Sequence, residues 1–352
     1  MTILQDYLKS NTIDQLKAQY SVDYKFHPEY PNLVQFGYSM TDSPMGEKIV
    51  QECRGIILDK NTLEIVSIAF DKFFNIEEGH AAKINWDNAV VQEKLDGSCM
   101  TIYYYNSKWH VMTNGSPNAA GNVGDYTFTF AEYFWDTFKK QNLKLPTRTD
   151  LCFTFELTGP SNMIVVQHKE PKLTLIGVRG KDTVEYDPKL FVDHVNCESV
   201  KVYDYTNLQQ LIDSFEVTSP LDSEGYVVMD GFKRVKIKNP KYVLWHHLKG
   251  KLSPRGILEI IITGEKEEFI TYFSDKTDIF NEMEDKLNAY IHKVENEYNK
   301  IKGVENIKEF ASYAVLQECS SAMFAVKRGK APSIRKFILG MQVDKVLENI
   351  SK

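Results

Sequence analysis

A chain of 352 residues exceeds one small domain and suits two, and its apolar and charged fractions of 43% and 26% are those of an ordinary globular protein. A formal net charge of −6 excludes a uniformly basic, nucleic-acid-coating protein and leaves only local basic patches to consider. Five scattered cysteines (Cys53, Cys99, Cys152, Cys197 and Cys319) with no C-x-x-C pair argue against a disulfide framework or a structural zinc site, and for a reducing cytosol.

The chain opens on "MTILQDYLKSNTIDQLKAQY", which is polar and helix-like, without signal-peptide order. No apolar run is long enough for a membrane segment, so a soluble, cytoplasmic protein is expected. "YPNLVQFGYS" reads as a short strand with turn signals. From about Val50 to Tyr242 strand follows strand: "RGIILD", "EIVSIAF", "AVVQEKL", "SCMTIYYY", "KWHVMT", "LCFTFEL", "KLTLIGVR", "GYVVMD" and "FKRVKIKN". Each is rich in β-branched and aromatic residues and bounded by Gly, Asn, Asp or Pro. Helices are predicted at Tyr126–Gln141 and Asn207–Phe215. Strands mixed with a few helices, without regular βαβ alternation, predict an α+β fold of mainly antiparallel sheets.

Past "HLKGKLSPRG" the period changes. Phe280, Met283, Leu287, Tyr290, Ile291, Val294 and Tyr298 recur at steps of three and four, the pattern of an amphipathic helix. Further helices are predicted at Lys308–Lys327 and Ile334–Asn349, and Pro254 with Gly256 reads as a hinge. Two parts are therefore expected: an α+β body over 1–250 and a helical domain over 251–352. Between Lys233 and Arg255 stand eight basic residues and no acidic one, which alone would read as a solvated face.

One stretch demands chemistry. "VQEKLDGSCMT" places Lys94, Asp96 and Gly97 inside what otherwise reads as buried strand. A lysine is a nucleophile only when unprotonated, which burial and neighbouring cations both favour. Gly97 lets the backbone come close to a ligand. K-x-D-G by itself fits an incidental surface hairpin better.

It stands within an ordered set: "ECRGIILD", "DKFFNI", "EKLDGS", "FTFELTG", "LIGVRG", "SEGYVV" and "VKIKNPKY". This set resembles the covalent nucleotidyltransferase superfamily of ATP-dependent ligases and capping enzymes, and most of all the bacteriophage-type RNA ligase 1 group. The resemblance covers Arg54 to Tyr242. It implies a ligase adenylation domain in which Lys94 attacks the α-phosphorus of ATP, carries AMP, passes it to a 5′-phosphate RNA end, and lets a 3′-hydroxyl displace it. Single-stranded RNA would be the partner, a monomer the working state, and repair of a cleaved tRNA a fitting role.

The resemblance also implies roles. Arg54, Lys72, Lys236 and Lys238 would meet the phosphates, and the two K-I-K lysines, alternating on one strand, would face the same side. Those cations would keep Lys94 neutral. Glu224 would hold magnesium, or manganese, through water, and Glu156 would accept hydrogen bonds from the ribose. Phe74 and Tyr242 match positions near the nucleotide, although either fits a core role. Lys241, Lys249 and Lys251 would continue the basic wall as an RNA track. Two positions depart from the pattern. Asn114 stands where relatives carry a lysine, and "LIGVRG" lacks the aromatic residue that stacks adenine, leaving Ile176 or Val178.

Other features weigh less. His246 and His247 are adjacent and would diverge, Cys99 has no sign of being a nucleophile, and no P-loop sequence occurs. The alternatives are a DNA ligase or capping guanylyltransferase of the same superfamily, or a relative that binds nucleotide or RNA without catalysis. The first two would carry an OB-fold of five strands after the last lysine motif, where this chain reads as helices.

Overall fold

The computed structural model describes residues 1–247 and 253–351. Lys249, Lys251 and the expected boundary at 250/251 lie outside the described residues. The chain divides into two compact units, Met1–His246 and His247–Lys352.

The first unit is built on three sheets. Strands β1 (Val22–Phe26), β2 (Leu33–Tyr38), β3 (Ile57–Asp59) and β4 (Ile65–Ser67) form an antiparallel sheet in chain order. The next strands are β5 (Phe74–Asn75), β6 (Val90–Lys94), β7 (Ser98–Tyr105), β8 (Lys108–Thr113), β9 (Leu151–Thr158), β10 (Lys172–Gly180), β11 (Glu185–Tyr186), β12 (Val202–Tyr203), β13 (Gly225–Asp230) and β14 (Lys233–Lys238). They assemble as a second sheet, β11-β10-β9-β7-β8, and a third, β12-β6-β13-β14-β5. Every pairing is antiparallel except β14 with β5, as the mainly antiparallel expectation required.

Helices cover the sheets where the sequence places caps. Thr2, Thr12 and Thr129 each close a capping box with Gln5, Gln15 and Glu132, starting helices Ile3–Leu8, Ile13–Tyr20 and Phe130–Lys140. The third begins four residues later than predicted because Thr129, not Tyr126, can accept the N–H of residue 132. Its Phe134 packs with Phe153 and Phe155 of β9, all three fully buried. Each such ring stabilises the fold by roughly 2 kcal/mol relative to exposure. Asn207 caps helix Leu208–Val217, whose Leu211 and Phe215 pack on Val91, Val228 and Val235 of the third sheet.

The described residues of the second unit form helices and no strand. The longest, Thr277–Ile301, buries Phe280, Leu287, Tyr290, Ile291 and Val294 on the predicted face. The hinge expected at Pro254 and Gly256 is instead the first turn of helix Pro254–Thr263. Pro254 has no N–H to lose there, and Ser253 accepts the Gly256 N–H at 3.2 Å. In this unit Lys327 donates to the Lys302 carbonyl and Arg335 to Asn288.

Candidate active site

Lys94 is the last residue of β6 and Ser98 the first of β7, so the E-K-L-D-G-S turn is where the chain passes from the third sheet to the second. The cavity at that crossing is walled from both sheets. The third contributes Gln92, Lys94, Val227, Arg234, Lys236 and Lys238, and the second Cys99, Glu156 and Ile176. Arg54, Phe70 and Phe73 line it as well. Register explains the convergence: Gly225 pairs with Lys94 on one side and Lys238 on the other, and Val227 pairs with Gln92 and Lys236. Lys236 and Lys238 thus share a face, as period two predicts, and so does Arg234, which the sequence reading passed over although the same alternation marks it.

Gly97 does line the cavity, but the approach that demands glycine is to the protein itself. A Cβ there would collide with the Leu157 carbonyl oxygen and lie 2.9 Å from Thr158 Cγ2. The R-G-I glycine is needed in a different way. Gly55 has φ of +84°, and a Cβ would stand 2.9 Å from the Asn114 Cα. That turn delivers Arg54, whose buried Nη1 has no hydrogen-bond partner among the described residues, a donor suited to an anion.

Lys94 Nζ lies 2.5 Å from Glu224, whose other oxygen is 3.2 Å from Lys238. The immediate neighbour of the lysine is therefore a carboxylate, not the cations expected to keep it neutral; the chain reaches this pairing because Glu224 immediately precedes Gly225, the register partner of Lys94. Burial alone would raise the Glu224 carboxyl, but Lys94 and then Lys238 outweigh it and hold it below the ordinary range. Glu156 has the opposite fate. Burial pushes it up to about 8 against the partial relief of Lys94 and Arg54, with Glu224 and Asp96 adding to the rise. At neutral pH it is a protonated acid that can donate as well as accept.

A folded carboxyl at about 8 against an ordinary 4.5 means that the native state holds an extra proton between those values. Stability must then fall as pH rises through that window. Glu156→Gln is expected to remove much of this loss, so thermal melts of the nucleotide-free protein near pH 5 and near pH 8.5 should differ less for the variant than for the wild type. Equal pH dependence in both would refute the assignment.

Asp96 of the E-K-L-D-G-S turn anchors that turn. It is buried; its Oδ2 accepts the N–H groups of Val165 and Val166 at 2.9 and 2.8 Å, and its Oδ1 accepts the Tyr242 hydroxyl at 2.8 Å. Tyr242, expected near the nucleotide, is itself buried and holds the lysine turn through this bond. Phe74 is buried where β5 pairs with β14, and it lines a neighbouring cavity together with Lys72 instead of the one that holds Lys94. Its neighbour Phe73 belongs to both cavities, with Arg54 and Lys236 over its ring at 5.6 and 6.0 Å.

The missing adenine platform has a counterpart. Val178 is buried in the core, while Ile176, the bulged residue between Leu175 and Gly177, lines the cavity beside Phe70. Phe70 lies so close against Gly177 that a Cβ there would strike its ring.

Asn114 lines a third cavity, which shares Arg54 with the first. Lys241, assigned to an RNA track, donates instead to the carbonyls of Phe215 and Glu216 at a helix end. Cys99 carries a thiol that burial pushes up to about 11, so it is not a thiolate at neutral pH. The His246 ring stacks on Tyr242 at 6.1 Å. Among the described residues no group of three or more His, Cys, Asp or Glu could hold a metal, and no helix is long and apolar enough to cross a membrane.

An RNA ligase family model matches residues 52–242. A protein of Autographa californica nuclear polyhedrosis virus, provisionally described as a bifunctional polynucleotide kinase/RNA ligase, is 28% identical over 305 residues. That alignment takes in 80% of this chain but only 43% of that protein. An RNA ligase of Rhodothermus phage RM378 is 26% identical, with 73% and 76% of the two chains covered. Among solved structures, an archaeal ATP-dependent RNA ligase aligns over 85% of this chain and 73% of its own at 13% identity and a TM-score of 0.44. The matched span holds more than half of the chain and every residue that walls the Lys94 cavity, and the chain belongs to the RNA ligase family.

Proposed function

We propose that this chain is an ATP-dependent RNA ligase that joins 5′-phosphate and 3′-hydroxyl RNA ends through AMP carried on Lys94. The observation that supports this most is the cavity itself: a lysine at a sheet crossing, facing Glu156, with Arg54, Lys236 and Lys238 around it, all inside the family span. Lys94 Nζ leaves Glu224, gives its proton to solvent and attacks the α-phosphorus. An N–P bond forms, the P–O bond to pyrophosphate breaks, and the displacement is split into easier steps. Arg54, Lys236 and Lys238 bind the phosphate charge, Arg54 with its unpartnered Nη1. Glu156 meets the ribose hydroxyls as donor or acceptor. Lys72 reaches the phosphates from the adjoining cavity.

Magnesium fits this site without a carboxylate cluster, because it commonly takes one or two carboxylates with substrate phosphates and water. Glu224 is the residue that would hold it, and the ion (or manganese) would neutralise charge on the phosphates. Single-stranded RNA, such as a cleaved tRNA anticodon loop, is the substrate we expect, with the protein acting as a monomer. The helices of the described second unit favour this reading over a DNA ligase or capping enzyme, for which the strands of an OB-fold are expected.

The test is incubation with magnesium and α-labelled ATP or GTP, a denaturing gel, then addition of RNA. Label from ATP that stays on the protein and moves to 5′-phosphorylated, but not 5′-hydroxyl, RNA is the expected result. Label from GTP alone would identify a capping enzyme. No adduct, in folded protein shown to be free of bound AMP, overturns the proposal.

A further inference from the structure

The cavity that adjoins the Lys94 site shares Phe73 and Arg234 with it and opens beneath the β13–β14 hairpin. Its walls carry Lys48, Lys72, Arg179, Lys233 and Arg234 against Asp71 and Glu185. The acids are spent on Lys48, Arg179 and Arg234. Lys72 has no carboxylate partner among the described residues and lies 5.5 and 5.4 Å from the ring centroids of Tyr38 and Phe74. At the lip stands Phe232, 70% exposed at the hairpin tip, where Gly231 makes the turn with φ of +58°. The turn needs that glycine and makes no demand for an aromatic beside it. A single exposed apolar residue is ordinary. An exposed ring at the mouth of a basic cavity has the composition of a single-strand nucleic-acid platform, cations for the backbone and a face for a base.

Reaction geometry says which part of the strand would lie there. Entering and leaving groups at phosphorus are in line. In the first displacement Lys94 Nζ enters and pyrophosphate leaves on the opposite side. In the second, the N–P bond breaks, Nζ takes a proton from solvent, and an oxygen of the RNA 5′-phosphate forms the new P–O bond. That oxygen must come from the side opposite Nζ, the place that pyrophosphate vacated. If pyrophosphate leaves across Arg234 and Phe73, which the two cavities share, the same path then receives the RNA end.

We propose, building on the ligase reading above, that this second cavity docks the 5′-phosphate end of the RNA, with Phe232 stacking on a base of its first nucleotides. Pyrophosphate occupies only the inner part, so Phe232 serves RNA and not ATP.

Full-length wild type, Phe232→Ala and Phe232→Trp, each loaded with labelled AMP, would be mixed with rising concentrations of 5′-phosphorylated single-stranded RNA, and RNA-adenylate formation followed in single turnover. In Phe232→Ala the RNA concentration for half-maximal rate should rise about tenfold, with the limiting rate and label uptake from ATP near wild type and the loss reversed in Phe232→Trp. An unchanged RNA dependence in Phe232→Ala, or a Trp variant as weak as Ala, overturns the docking site while leaving the ligase reading intact. Failure of wild type to take up label removes both.

Discussion

Lys94→Arg is expected to abolish AMP transfer to the protein, lowering it by about 10⁴-fold or more, while leaving the fold in place. This variant separates the observed pairing of Lys94 from its proposed role as nucleophile. As a cation the lysine pairs with Glu224 at 2.5 Å, and arginine can keep that pair. As a nucleophile it must present a neutral nitrogen, which a guanidinium does not do in a protein. Lys94→Ala should lose the adduct too, and also some stability, because it leaves Glu224 with Lys238 alone. Adduct formation with α-labelled ATP and thermal melts on both variants check this. Label surviving in Lys94→Arg would place the nucleotide on another residue.

Removing the carboxylate is expected to have the second-largest effect. Glu224 is buried and holds Lys94 and Lys238 in a cavity that also contains Arg54, Arg234 and Lys236. Glu224→Ala takes from Lys94 and Lys238 the carboxylate that they share. Breaking a buried pair costs roughly 3–5 kcal/mol, and the partial exposure of the lysines brings the expectation to about 2–4 kcal/mol. For a unit of this size that lowers the melting temperature by roughly 5–15 °C.

The pH dependence has a definite sign. The folded Glu224 carboxyl lies below its ordinary value of 4.5, so its contribution is full above that value and is lost as pH falls through the folded one. The gap between wild type and Glu224→Ala should accordingly be wide at neutral pH and close in acid. AMP transfer should fall as well, by about 10²–10³-fold. A melting temperature unchanged at neutral pH would show that the pair contributes nothing.

Local pattern carried much of this molecule. Alternation and turn residues place β6 to β10, β13 and β14 within a residue or two, and the three-and-four spacing from Phe280 to Tyr298 marks the long helix. The two-residue strands β5, β11 and β12 could not be read, because nothing in two residues distinguishes a strand until a partner supplies the hydrogen bonds. The same limit explains the site. Lys236 and Lys238 are legible from period two, and Arg234 was equally so. Phe73 and Phe74 are adjacent and look alike. Which of them meets the Lys94 cavity depends on how β5 pairs with β14, one strand away in space and about 160 residues away in sequence.

By itself, then, the sequence determined the family, the change from strand to helix periodicity, and the lysine that we propose as nucleophile, since motif order and side-chain period are local properties of a chain. The tertiary structure alone decided which charges meet. It put Glu224 against Lys94, gave Asp96 to Tyr242 across 146 residues, and set the half-buried Glu156 where desolvation and neighbouring carboxylates push its carboxyl up to about 8. Such pairings rest on sheet register and on the exclusion of water, and both exist only once distant segments have packed.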